Sequence, residues 1–322
     1  MTHPEHGDDA TTLMQRADVA MYAAKRDRAG VTVYDDSLDD NSERRLRLAV
    51  ELRNALSIGQ LEVHYQPIAR TADRHIVGVE ALARWNHPTL GMIRPDEFIP
   101  IAEHSRLIHE LTAYVLDAAL AQVRAWNCAG LDLSVAVNLS VHVLRDTDWP
   151  AKVAHLLHLH GVPARQLTFE ITESAAMTDP DYVIRMLDEL AKTGLTFAVD
   201  DFGTGYSSLA YLQKLPISKI KIDKSFVIPL TTDPAAATIV HSVIDMARNL
   251  NLAVVAEGVE DQRTLDHLAA IDCHLVQGYY LSRPIPGPQL TTWLTLNTDD
   301  GSTLPSQRAP HRRSSSPARP GS

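Results

Sequence analysis

The sequence predicts an α/β fold, a TIM-like (β/α)8 barrel, on three observations. Eight short β-like runs follow one another at 61–68, 76–85, 133–140, 167–173, 197–201, 217–223, 252–260 and 274–282. Helical patterns at 107–126, 181–192, 235–250 and 262–271 separate most of them. The stretch they cover, about 245 residues, is close to the ~250 usual for such a barrel.

The stretch 167–209 shows the repeating unit most clearly. Leu167, Phe169 and Ile171 alternate with Thr168 and Glu170, and Phe197 and Val199 alternate with Ala198 and Asp200, which is a strand period. Between them Val183, Met186, Leu187 and Leu190 recur at helical spacing and Gly194 closes the segment. Two strands joined by a helix lie parallel, so this is a βαβ unit.

From the N-terminus, residues 10–28 read as an amphipathic helix with Leu13, Ala17, Ala20, Met21 and Ala24 on one face, followed by a short strand at 31–34. This piece, residues 1–36, is too small to bury a core. Residues 37–57 are charged and helical, a connector leading into the barrel at 58–295. From 296 to 322 the chain is rich in Ser, Pro and Arg with almost no apolar residues, and is expected to be a disordered tail.

Composition excludes several classes. A chain of 322 residues that is 45% hydrophobic and 22% charged can bury one large core or two modest ones. Its formal charge of −10 argues against a sequence-independent nucleic-acid surface, so no nucleic-acid polymer is expected as partner. No apolar run approaches the ~20 residues of a membrane span, and no signal peptide is recognised. Cys128 and Cys273 are isolated and support neither a zinc ribbon nor a disulfide framework, so a reduced cytoplasm is the expected location. His155, His158 and His160 are read as surface-helix histidines, because no carboxylate or cysteine nearby completes a metal set.

The polar residues fall in one place. Glu80, Asn138, Glu170, Asp200, Lys221, Glu257 and Gln277 each stand at or near the C-terminal end of a strand run, the end at which barrels of this kind carry their active sites. Gly78, Ala136, Thr168 and Ala198 precede four of them at the same parity, while the large Val and Phe residues occupy the other face. The large face is expected to pack on helices and the carboxylates to point into the mouth. A single acid at a strand end often only caps the next helix, but so many polar strand ends sharing one mouth do not fit that reading.

Glu80, Glu170, Asp200, Asp201 and Glu257 would repel one another in one mouth and raise one another's pKa. Two divalent cations would relieve this, with Asn138 adding a neutral oxygen. Such a pair activates water and stabilises both oxygens of an in-line displacement at phosphorus. Lys221, alternating with Ile220 and Ile222, is costly to bury unless it faces the acids, where it can position the attacking water; the bland alternative is a solvent-facing pair with Lys219. Arg84, four residues after Glu80, is suited to grip a phosphate. Gly203 and Gly205 allow a sharp turn and close backbone approach, weak evidence by itself.

These residues stand in ordered motifs: YQPI at 65–68, EALARW around Glu80-Ala81-Leu82, NLS at 138–140, EITE at 170–173, DDFGTGYSSL at 200–209, KID at 221–223, EGVE at 257–260 and QGYYLSRP at 277–284. Over about residues 45–290 the chain resembles the EAL-domain cyclic di-GMP phosphodiesterases. The resemblance implies hydrolysis of cyclic di-GMP to linear pGpG with two divalent cations, Mg2+ or Mn2+, by a homodimer. It implies Glu80, Asn138, Glu170, Asp200 and Glu257 as metal ligands, with Asp201 reaching the second metal. Lys221 would hold the attacking water, with Glu260 as its partner and Gln277 orienting that water. Gln66, Leu82 and Arg84 would contact the nucleotide, and Glu173 would steady the loop 202–209. Residues 1–36 are similar to the last helix and strand of a GGDEF diguanylate cyclase domain, whose own signature is absent, so no cyclase activity is implied. The rival readings are a catalytically silent cyclic di-GMP receptor acting through a protein partner and a two-metal hydrolase of another phosphodiester.

Overall fold

Ten strands in one sheet organise the computed structural model, which describes residues 33–177, 179–205 and 209–298 together with 9–10, 12–14, 16–17, 20–21 and 31. They are β1 (Leu61–Arg70), β2 (Ile76–His87), β3 (Gly91–Ile93), β4 (Ser134–Asn138), β5 (Leu167–Thr172), β6 (Thr196–Phe202), β7 (Lys219–Ile222), β8 (Ala253–Ala256), β9 (Leu275–Gln277) and β10 (Ile285–Pro286). Eight of them close into a barrel in the order β1-β9-β8-β7-β6-β5-β4-β2, sealed by β1–β2 pairing. The short β3 and β10 extend the sheet outside the closed ring, on β2 and β1.

From β2 round to β9 every neighbouring pair in the ring is parallel. β1 differs: it runs antiparallel to both β2 and β9, so the barrel departs from a uniform (β/α)8 repeat at its first strand. The cause is the connection. Only residues 71–75 separate β1 from β2, far short of the dozen or so that a parallel crossover needs.

Three of the helices that cover the sheet begin where a side chain satisfies a free N–H group. Pro180–Ala191 and Pro234–Asn249 each have Pro in the first turn behind an Asp cap, Asp179 accepting from Tyr182 N–H and Asp233 from Ala235 N–H. Gln262–Ala270 is capped by Asp261, which accepts from Thr264 N–H at 2.7 Å.

The expected division of strand faces holds. Val79, Val137, Phe169 and Val199 are buried. The Phe169 ring lies 6.4 Å from Phe197 and 6.4 Å from Trp149, which opens the helix Trp149–His160. The alternate residues therefore face the barrel interior. On that same helix His155 and His158 are exposed and His160 bonds Asp117 at 2.8 Å, as surface histidines should.

The connector forms the helix Asp36–Ile58, and its Leu48, Leu52 and Ala55 belong to the same buried cluster as the barrel residues. Arg44 bonds Glu97 at 2.6 Å and Glu51 bonds His87 at 3.2 Å, tying it to the helix Pro95–His104 and to the end of β2. Upstream, the described residues Ala10, Thr12, Leu13, Met14, Arg16, Ala17, Ala20 and Met21 are helical. Ala20 is buried, whereas Met21, expected on the same face, is 53% exposed; Ala24 lies outside the described residues.

Of the strand expected at 31–34, the described residues Val31, Val33 and Tyr34 pair with no strand, Tyr34 lying buried beneath the Arg16 guanidinium, and Thr32 lies outside the described residues. At the other end the helix Gly287–Thr298 runs past the expected start of the tail, and 299–322 lie outside the described residues. Among the described residues no helix is long and apolar enough to cross a membrane.

Candidate active site

Parallel register brings the strand ends level. Asn138 on β4 pairs with Glu170 on β5, Thr172 with Asp200 on β6, and Glu80 on β2 lies beside Ala136 of β4. Lys221 on β7 projects from the opposite wall. The side chains meet at one point: Lys221 Nζ lies 2.6 Å from Glu170 Oε2, 2.7 Å from Glu257 Oε1, and 3.3 Å from both Glu80 Oε2 and Asp200 Oδ1. The ammonium is 1% exposed. The solvent-facing reading of Lys221 is thereby overturned, because the acids supply the compensation that makes its burial tolerable. Lys219, one turn of the pleat below, is half-buried and donates to Thr168 Oγ1 at 3.3 Å.

The acids are in turn held by amides. Glu80 accepts from Asn138 Nδ2 at 2.8 Å and from Gln277 Nε2 at 2.6 Å. Gln277 also donates to Gln66 Oε1 at 3.1 Å, and Gln66 donates to the Ser282 carbonyl at 3.2 Å. Among the described residues the Gln277 Oε1 is a buried acceptor without a partner, which leaves it open to a donor in the mouth.

Burial sets the proton affinities. It pushes the Glu257 carboxyl up to about 8 against the opposing pull of Lys221, and raises Glu170 and Asp200 for the same reason. Glu80 is equally buried, yet Lys221 with the Gln277 and Asn138 amides outweighs this and holds it below the usual carboxylate range. Burial opposes the Lys221 charge as well, but Glu170, Glu257, Glu80 and Asp200 lift its pKa well above that of an ordinary lysine.

Two overlapping sets of carboxylate oxygens lie within 4.8 Å of one another: Glu80 with Glu170 and Asp200, and Asp200 with Asp201 and Glu257. They share Asp200. Oxygen-only donors carrying more negative than positive charge, buried in the first set and open to the mouth at Asp201 and Glu257 in the second, suit hard divalent cations, and the shared residue gives room for adjacent positions.

Asp201 adopts φ of 54°, a left-handed conformation that Asp tolerates better than most residues, with its N–H donating to Asp200 Oδ1 at 2.9 Å. The chain then turns through Gly203, whose φ of 100° no other residue takes easily. Gly203 N–H donates to Glu173 Oε2 at 2.8 Å. Glu173 is 2% exposed, and a Cβ on Gly205 would lie 2.9 Å from its Oε1. The expected anchor is therefore in contact with the loop, by backbone; the serine hydroxyls at 207 and 208 lie outside the described residues.

Glu260 is exposed at the rim, and among the described residues the ion pairs of Lys221 go to the four acids above and not to Glu260. The partnership of Lys221 with Glu260 is thus not brought together; Glu257, three residues earlier in the same motif, takes that place. Two cavities flank the cluster. One of about 390 Å³ is lined by Gln66, Glu80, Asp200, Glu257, Glu260 and Tyr279. The other, of about 320 Å³, is largely apolar and lies beside Leu82, Arg84, Asn138 and Glu170. Sequence reasoning missed Ile99 of the helix Pro95–His104 and Leu111 and Val115 of the helix Ile108–Cys128, which line the second cavity: the spacing of the latter two marks a buried helix face and carries no sign that the face borders a void. It assigned no role to Lys224 and Tyr279 in the first, although Lys224 directly follows KID and Tyr279 lies within QGYYLSRP.

Residues 49–284 match the EAL domain family. The chain belongs to that family. An uncharacterised signalling protein of Caulobacter vibrioides is 42% identical over 307 residues, 95% of this chain and 38% of that protein. The bifunctional diguanylate cyclase/cyclic di-GMP phosphodiesterase MucR of Pseudomonas aeruginosa is 41% identical over 290 residues, 89% of this chain and 42% of that protein. A solved structure of the PaMucR phosphodiesterase in complex with c-di-GMP is 42% identical, with a TM-score of 0.73 over 76% of this chain and 99% of that one. The chain thus spans about two fifths of the length of these curated relatives.

Proposed function

We propose that this EAL chain is a metal-dependent phosphodiesterase that hydrolyses cyclic di-GMP to linear pGpG. The observation that carries the reading is the ring of Glu80, Glu170, Asp200 and Glu257 around Lys221, with Asp201 completing a second acid set through the shared Asp200. Support comes from likeness to MucR and to the c-di-GMP phosphodiesterase structure.

The donor set fits two divalent cations, Mg2+ or Mn2+, held by Glu80, Asn138, Glu170, Asp200, Asp201 and Glu257. Bound there, they would neutralise the acids, activate water and steady both oxygens of an in-line displacement at phosphorus. Lys221, fixed by its contacts to Glu170 and Glu257, keeps a cation beside the attacking water. Gln277 orients that water through its unpartnered Oε1, while its amide N–H groups stay on Glu80 and Gln66. Leu82 and Arg84 line the apolar cavity and Gln66 the polar one, so an extended dinucleotide crossing the acid cluster would place one base on each side. Arg84, part-buried and without a carboxylate partner among the described residues, is available to a phosphate. Glu260 contributes at the rim, and Glu173 holds the 202–209 loop.

We infer likewise a barrel at 58–295 preceded by a GGDEF remnant and a helical connector, a cytoplasmic location, and a homodimer. The silent-receptor alternative requires loss of an acid or of Lys221, and each is in place. A panel of cyclic dinucleotides incubated with Mg2+ or Mn2+ tests the proposal: pGpG from cyclic di-GMP is expected. Tight binding without product would leave the receptor, and equal cleavage of unrelated phosphodiesters would leave a general hydrolase.

A further inference from the structure

Two imidazoles meet on the outer helices, apart from the residues that ring Lys221. His241 lies on Pro234–Asn249 and His267 on Gln262–Ala270, the helices that lead into β8 and β9. Their Nε2 atoms are 3.4 Å apart, with ring centroids 5.7 Å apart and planes at 73°. Both helices are fixed from below. Val240, Val243 and Ile244 bury one, Leu265 and Leu268 the other, and Asp233 and Asp261 cap their N-termini. Core packing therefore fixes the two helices that carry the rings, while His241 is exposed and His267 half-buried at the surface.

Two arrangements bring ring nitrogens this close. One is an N–H···N bond between neutral rings of opposite tautomer, for which 3.4 Å is long. The other is convergence of both lone pairs on one ion. Two nitrogens each 2.0–2.1 Å from a tetrahedral ion stand about 3.3–3.4 Å apart, which matches the observed separation of these two Nε2 atoms. Among the described residues neither ring forms an ion pair with a carboxylate that would draw its Nε2 elsewhere.

We propose that His241 and His267 form a peripheral metal site for divalent transition ions that prefer imidazole, Zn2+ being the type case and Ni2+ and Cu2+ the alternatives, with water completing the shell. The donor types separate it from the acid cluster, since neutral nitrogens do not hold Mg2+ and the oxygen-only cluster does. Its occupant would staple the helix before β8, the strand that leads to Glu257, to the helix before β9, which carries Gln277. A ligand bound only by the folded state raises stability by mass action, so the ion would stabilise this side of the barrel. None of this depends on the reaction proposed above.

The test uses the full chain saturated with Mg2+ and titrated with zinc chloride, followed by calorimetry and by thermal melting. Wild type is expected to show a zinc-binding event that raises the melting temperature. His241→Ala and His267→Gln should each weaken that event at least tenfold and abolish the thermal shift, with magnesium-supported hydrolysis and the far-UV spectrum unchanged as controls on folding. A zinc event at the acid cluster is told apart because it persists in both histidine variants and disappears in Asp200→Asn. Zinc isotherms of the histidine variants that superimpose on wild type, or a wild-type isotherm with no event beyond the one Asp200→Asn removes, would overturn the proposal.

Discussion

With four carboxylates within 3.3 Å of one ammonium, the ring around Lys221 holds acids that cannot all stay ionised without further positive charge. Removing the ammonium by Lys221→Ala should cost about 3–5 kcal/mol in metal-free protein, because it strips a buried charge network of its centre. Divalent metal should restore much of that stability and none of the turnover, while cyclic di-GMP still binds; melting curves with and without Mn2+, alongside a hydrolysis assay, check both halves. The protons tell the same story. Glu257, raised by burial from 4.5 to about 8, keeps in the folded state a proton that the unfolded chain releases, so its contribution makes metal-free stability fall as pH rises across that interval. Glu170 and Asp200, also raised, act with the same sign; Glu80, lowered, acts oppositely but only below 4.5, and the raised Lys221 matters only above 10.5. Metal-free stability read from urea titrations should therefore drop between pH 5.5 and 8, on the order of a few kcal/mol at most, lowering the midpoint, and Mg2+ should remove the drop by replacing protons. A metal-free midpoint that rises over this window would contradict the pKa assignments.

Strands and their loops decide whether those residues stay in register. Glu173 opens the short helix after β5 and accepts from Gly203 across the β6 loop, one charge-assisted contact of about 1.5–3 kcal/mol spent on local geometry. Glu173→Ala should thus leave the melting temperature within a few degrees of wild type while hydrolysis falls at least tenfold and the metal requirement rises; wild-type turnover at ordinary metal concentration would show that Asp201 is held by something else. The polar strand ends are legible in the sequence because period two fixes which residues share a face, and Gly78, Ala136, Thr168 and Ala198 mark the face that turns inward. The hand of β1 is legible only from its connection: residues 71–75 cannot form a crossover, although the apolar run at 61–68 looks like any other. The EGVE segment presents both Glu257 and Glu260, and only the three-dimensional course of the chain after β8 sends the first onto Lys221 and the second to the rim of the polar cavity. The apolar cavity is not legible at all, because a void depends on how helices seat against strands and not on the pattern of either.

Across the whole molecule the barrel and the helix Asp36–Ile58 share one buried cluster, to which none of the described residues upstream belongs. Deleting residues 1–36 should accordingly leave hydrolysis intact, and deleting through residue 57 should not, because it removes Leu48, Leu52 and Ala55 from the core and exposes what they cover. Soluble yield and turnover of the two truncations check this, and equal behaviour of both would show that the helix is dispensable. At the heart of the molecule, the acids around Lys221 are proposed to work as a divalent metal centre. The most direct measurement is cyclic di-GMP hydrolysis by the purified chain before and after exhaustive chelation, with Mn2+ then added back, in wild type and in Asp200→Asn. Loss on chelation, recovery with Mn2+ in wild type and no recovery in the folded Asp200→Asn protein is the predicted result; full turnover in the chelated wild type would contradict it.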